Sequence, residues 1–144
     1  MREQPCGTLM EAASATGMAT GFAVSSSVTD ATPAAFAAHA RSRWLHRTIA
    51  LQYARRRTAD VMLGGGAGYF RQAALPQPWD LEGLSFANTT ASLQAATSLP
   101  LLGLFSEHDL PWEIDRQPRR VPSLRQMASR AAELLQANYP HPQP

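Results

Sequence analysis

Asp30, Thr32 and Arg43 bring a carboxylate, a hydroxyl and a guanidinium into one short stretch, Asp-Ala-Thr-Pro followed by an alanine-rich segment that ends in Ser-Arg. A hard cation such as Mg²⁺ takes oxygen ligands and keeps several of its waters, so one or two protein oxygens suffice on one side of it. A guanidinium offers a planar fork of donors that can hold two phosphate oxygens at once. Together the three suit a metal ion held beside a phosphate. Each also has a plainer role: Thr32 as the N-cap of a helix begun by Pro33, Asp30 as a turn residue, Arg43 as a solvated charge.

Other candidate groups are weaker. His39, His46, His108 and His141 stand singly, without the HExxH spacing or the three convergent ligands of a catalytic zinc. His108 with Glu107 and Asp109 is the nearest approach to a cluster and reads as a solvated loop. Ser25, Ser26 and Ser27 have no evident base partner. Gly64-Gly65-Gly66-Ala67-Gly68 follows a strand as a nucleotide-binding loop would. Tyr69 occupies the place of the third glycine of a dinucleotide fingerprint, however, and no Gly-Lys-Ser/Thr follows, so the run reads as a strand-to-loop turn. The stretch 41–57 holds six Arg and no acid, with Trp44 and Tyr53 as stacking candidates for a nucleic acid; a solvated helix face explains it as well.

These groups must be positioned by the surrounding elements. Thr8 to Glu11 fits a capping box that opens a helix to Ala15, closed by Gly17. Met18–Val24 reads as a buried strand that the Ser25–Ser27 cluster releases into a loop, which leaves Asp30 just past a strand's C-terminal end, where ligand sites gather in open α/β sheets. Thr32-Pro33 starts a helix to about Ala40. A second helix covers Leu45 to Arg57, with Leu45, Ile49 and Tyr53 as its apolar set. Val61–Leu63 and Leu101–Phe105 read as short buried strands. Prolines at 76, 78 and 100 exclude a long element between them, although 87–96 can be helical. Pro122 and a Ser123–Gln126 capping box open a last helix whose apolar face holds Leu124, Met127, Ala128, Ala131, Leu134 and Leu135. Helix alternating with strand predicts a parallel α/β sheet.

Composition sets the outer limits. With 44% hydrophobic and 17% charged residues in 144, the chain is one ordinary globular domain or a piece of a larger one. The single cysteine, Cys6, excludes an internal disulfide framework. No apolar run reaches the roughly 18 residues of a membrane span, and the polar N-terminus does not read as a signal peptide. Residues 1–58 carry seven Arg against Glu3, Glu11 and Asp30, whereas 59–144 carry six Arg against eight acids, so an anionic partner belongs with the first half.

In the form DATPAAFAAHARSR, the segment from Asp30 to Arg43 resembles the alkaline phosphatase family. TLMEAASATGMATGFAVSS before it, then ADVMLGGG, LLGLF, EIDR and VPSLRQMASRAAELL, are similar to further blocks of that family in the same order. The resemblance spans Thr8 to Asn138. It implies a central-sheet, three-layer α/β fold that this chain contains incompletely, with residues 1–7 unassigned and 8–138 a central segment of the domain; the proline-rich composition of 139–144 reads as a disordered tail. It implies hydrolysis of phosphate monoesters with two zinc ions, one magnesium ion and a serine nucleophile. Asp30 and Thr32 would serve the magnesium site and Arg43 would clamp the phosphate. Asp at position 30 follows the bacterial pattern, where animal members tend to have His.

The family's nucleophile segment would lie upstream, and residues 1–7 do not contain it; its zinc ligands and the glutamate of the magnesium site would lie downstream of Asn138. The resemblance therefore implies a chain with part of the magnesium site and little or no activity alone, whose uncovered sheet favours aggregation or completion by a homodimer mate or partner chain. Family members are commonly dimers, periplasmic or secreted. The alternative is a truncated relative that binds phosphate, a partner chain or nucleic acid without turnover.

Overall fold

The computed structural model describes residues 6–73 and 83–139. Helices and strands alternate as α1 (Leu9–Ala15), β1 (Gly21–Ser27), α2 (Ala31–Ala37), α3 (His46–Arg56), β2 (Val61–Gly65), α4 (Ala67–Gln72), β3 (Ser85–Ala87), α5 (Thr90–Ala95), β4 (Leu101–Leu104) and α6 (Leu124–Asn138). The four strands form one parallel sheet in the order β1-β2-β4-β3.

β2 and β4 are central, and every one of their residues is buried, which is why they read as unbroken apolar runs. Successive side chains point to opposite faces and enter two cores. Met62, Leu102 and Leu104 pack with Ile49, Tyr53 and Phe70 from α3 and α4. Val61, Leu63 and Leu101 pack with Leu93, Met127, Ala131 and Leu134 from α5 and α6. Helices thus cover both faces of the sheet in the expected three layers.

The capping boxes at Thr8 and Ser123 form as read, the second fixing the start of α6. On that helix Met127, Ala131 and Leu134 are buried, whereas Leu124 is 48% exposed and Ala128 also faces solvent, so the apolar face is narrower than its sequence pattern. Tyr139, assigned from sequence to the tail, caps α6 and donates its hydroxyl to Asp60 Oδ1 at 2.8 Å. The proline-rich residues after it, like residues 1–5 and Pro76 and Pro78, lie outside the described residues.

Four local expectations are corrected. Ser25–Ser27 belong to β1: the ladder shifts register between Ala23 and Ser27, which lets Ser27 pair with Gly65. The N-cap of α2 is Asp30, whose carbonyl accepts the Ala34 N–H at 3.0 Å, so Thr32 lies inside the first turn. Proline is tolerated throughout that turn, where N–H groups have no helical partner, and Pro33 therefore does not fix the cap at Thr32. The helix also stops early, because Gln52 of α3 takes both polar backbone groups of His39, accepting its N–H at 2.8 Å and donating to its carbonyl at 2.6 Å. Leu45 precedes α3 and is 42% exposed, leaving Ile49 and Tyr53 in the core.

Candidate functional site

The C-terminal end of β1 runs directly into Val28, Thr29 and Asp30. Thr29 is fully buried, and His46, the first residue of α3, meets it with a single nitrogen: Nδ1 lies 3.0 Å from the Thr29 hydroxyl and 3.1 Å from its carbonyl oxygen. The His46 ring stacks on Tyr69 at 4.3 Å between centroids, and Tyr69 meets His108 edge-on at 5.6 Å. These ring contacts link α3, α4 and the loop after β4 around the buried Thr29, the residue before Asp30.

Asp30 makes no side-chain cap bond to α2. Its Oδ1 instead accepts from Arg43 Nη2 at 2.9 Å, with the two side chains 34% and 53% exposed. A half-exposed ion pair of this kind contributes only about 0–1 kcal/mol to stability. Arg43 is held a second way, with its Cζ 5.5 Å from the ring centroid of Trp44, itself 76% exposed. Of the guanidinium's donors only Nη2 is engaged among the described residues, and the carboxylate keeps Oδ2. Thr32 is exposed, two residues after Asp30 in the first turn of α2. The structure therefore brings Asp30 and Arg43 into direct contact.

The donor set divides the implied metals. A hydrated magnesium ion needs few protein oxygens, and Asp30 Oδ2 is open to it. Zinc does not fit: no group of three His, Cys, Asp or Glu side chains able to hold a metal exists among the described residues, and His108 gains no such partners. Asp109 is committed elsewhere. Its Oδ1 accepts the Ser27 N–H at 2.7 Å and the Ser27 hydroxyl at 2.9 Å, which gives Ser27 the carboxylate partner that sequence alone did not reveal. Ser27 is 2% exposed, so the pair latches the loop to β1 and offers no accessible nucleophile.

The glycine run is structural as well. The chain leaves β2 towards one face of the sheet and β4 towards the other, and their adjacent ends form the crevice where α/β folds bind ligands. Here the loop after β4 fills it. Gly66 N–H donates to Ser106 and His108 carbonyls at 3.0 and 2.8 Å, Ala67 N–H to Ser106 and Gly68 N–H to Glu107, both at 3.0 Å. Those amides would have to be free to cradle a phosphate. A side chain on Gly65 would overlap the His108 carbonyl oxygen, and Gly66 has φ of +100°, which explains both glycines without a ligand.

Tyr53 is fully buried and cannot stack on a base, which removes one of the two aromatics from the basic 41–57 stretch. A cleft of about 690 Å³ opens beyond β4 between residues such as Arg71, Asn88, Asp115 and Arg120. Asp30, Thr32 and Arg43 do not line it. A smaller hollow of about 140 Å³ adjoins Arg43. Sequence reading missed the Trp44 stack and the Asp109 latch; the Arg43-Trp44 adjacency was the only local signal for either.

A family model described as alkaline phosphatase matches residues 1–140. The alkaline phosphatase of Schizosaccharomyces pombe is 36% identical over 151 residues, which cover 92% of this chain and 28% of that protein. Among solved structures, the cold-active alkaline phosphatase of a psychrophilic Shewanella superposes with a TM-score of 0.81 at 38% identity, over 94% of this chain and 33% of that one. A variant of the TAB5 alkaline phosphatase with Mg bound in its M3 site superposes with a TM-score of 0.75 at 26% identity, over 91% and 38%. The chain thus spans about a third of the relatives it matches.

Proposed function

The chain belongs to the alkaline phosphatase family, and from that premise we propose that it forms the phosphate-clamping, magnesium-side wall of a phosphate monoester hydrolase. Arg43 binds the phosphate oxygens through the donors that Asp30 leaves open, and stabilises charge that develops there during transfer. Asp30, through Oδ2, and Thr32 hold a hydrated Mg²⁺ beside it. Bound there, the ion supplies positive charge next to the phosphoryl group. The observation that carries this reading is the Asp30–Arg43 contact at the C-terminal end of β1, inside the matched span.

The same geometry supports a chain with little or no turnover alone. β1 lies at a sheet edge, so a nucleophile and zinc ligands would approach Asp30 and Arg43 from elements beyond it, in the same protein or in a partner chain. The test is a chromogenic phosphate monoester with Zn²⁺ and Mg²⁺, comparing the purified chain with Arg43→Ala. We expect no turnover above background from either; turnover that disappears in Arg43→Ala contradicts the inactivity.

A further inference from the structure

Arg43 reaches Asp30 from a segment that is neither helix nor strand. α2 carries the chain about 10 Å away from Asp30, and the connection that follows it must bring Arg43 back. Among the described residues, the hydrogen bonds that tie residues 39–42 to other elements all end on His39. Gln52 Oε1 accepts the His39 N–H at 2.8 Å and Gln52 Nε2 donates to the His39 carbonyl at 2.6 Å, the pair of bonds that facing residues exchange in an antiparallel ladder. Glu11 of α1 meets only the ring, with Nε2 2.9 and 3.0 Å from its two carboxylate oxygens. Gln52 is itself firmly placed, because its neighbours on α3, Ile49, Ala50, Tyr53 and Ala54, are buried.

We propose that Gln52 is a positioning residue for the phosphate clamp: by gripping the His39 backbone it fixes where the return towards Asp30 begins, and so where Arg43 is presented to a phosphate. It touches neither the phosphate nor the metal. This rests on the reading of Arg43 as the phosphate clamp. The half-exposed Asp30–Arg43 pair is too weak to order the segment by itself. With the segment already held, Arg43 binds an anion without first ordering the chain that carries it, whereas a released segment loses part of the binding free energy to that ordering.

The experiment titrates inorganic phosphate, with Mg²⁺ present, into the purified chain, Gln52→Met, Arg43→Ala and the double variant by calorimetry. Methionine keeps the unbranched stem and the helix propensity of glutamine but loses the amide that makes both bonds. Gln52→Met should weaken phosphate binding about tenfold, the scale set by ordering the released segment. Added to Arg43→Ala it should cost nothing further, since the segment then no longer carries the clamp. Leu134→Ala, a truncation in the core on the other face of the sheet, lowers stability without touching this segment and should leave phosphate affinity unchanged. Unchanged affinity in Gln52→Met, a further loss when it is added to Arg43→Ala, or an equal loss in Leu134→Ala overturns the positioning role while leaving the clamp intact. Phosphate binding that is as strong in Arg43→Ala, or absent from the unmodified chain, overturns the clamp reading and the positioning role with it.

Discussion

Gly65→Ala should be among the most damaging single-methyl additions in the chain. The new Cβ would overlap the His108 carbonyl oxygen, so the loop after β4 must move away from β2. The 2.8 Å bond from Gly66 N–H to that carbonyl is the first to go; the same N–H keeps its 3.0 Å bond to Ser106, so the loss is that of one hydrogen bond, about 0.5–1.5 kcal/mol. A loop displaced that far also strains the Asp109 latch, whose bonds from Ser27 to a carboxylate are worth about 1.5–3 kcal/mol. The expected loss is about 2–4 kcal/mol, a large part of the ~5–15 kcal/mol that stabilises a typical domain. Urea unfolding of the unmodified chain, Gly65→Ala, Asp109→Ala and the double variant measures it. Because both changes release the same loop, the double variant should lose less than the sum of the singles. A Gly65→Ala loss under about 1 kcal/mol, or strict additivity, would refute the argument.

Two pH effects follow from the structure. Glu11 lies below the usual 4.5 because it accepts the Thr8 N–H and pairs with His39, so its stabilisation is complete above that value and fades as pH falls through the lowered one. Urea midpoints of the unmodified chain and Glu11→Gln should accordingly converge on acidification. Burial pushes the Tyr53 phenol far above its usual 10.0, so stability should fall as pH rises past that value, where the unfolded chain ionises first. Its hydroxyl has no partner among the described residues, and Tyr53→Phe should raise stability by about 1 kcal/mol at neutral pH and remove the alkaline loss, as read from urea midpoints at pH 7 and roughly pH 11.

Strong local patterns were readable from the sequence. β2 and β4 stand out because both their faces are buried, and α6 because its capping box and apolar spacing agree. α4 and β3 were missed because six and three residues are too few to establish a period. At the site, Asp30, Thr32 and Arg43 were identifiable by residue type, but the Asp30–Arg43 contact depends on the path from α2 to α3, which Gln52 sets by gripping His39. The Ser27–Asp109 latch joins residues 82 positions apart, a separation at which sequence patterning carries no signal. Thr32 looked like a cap because Thr-Pro usually is one; the carbonyl of Asp30 had priority here.

The most direct test of the account is calorimetric titration of inorganic phosphate into the purified chain with Mg²⁺, alongside Arg43→Ala and Asp30→Asn. The account predicts saturable binding that weakens at least about tenfold in Arg43→Ala, as expected when a charge-assisted bidentate contact is lost. In Asp30→Asn, binding should lose its dependence on Mg²⁺. Phosphate binding of equal strength in Arg43→Ala would contradict it.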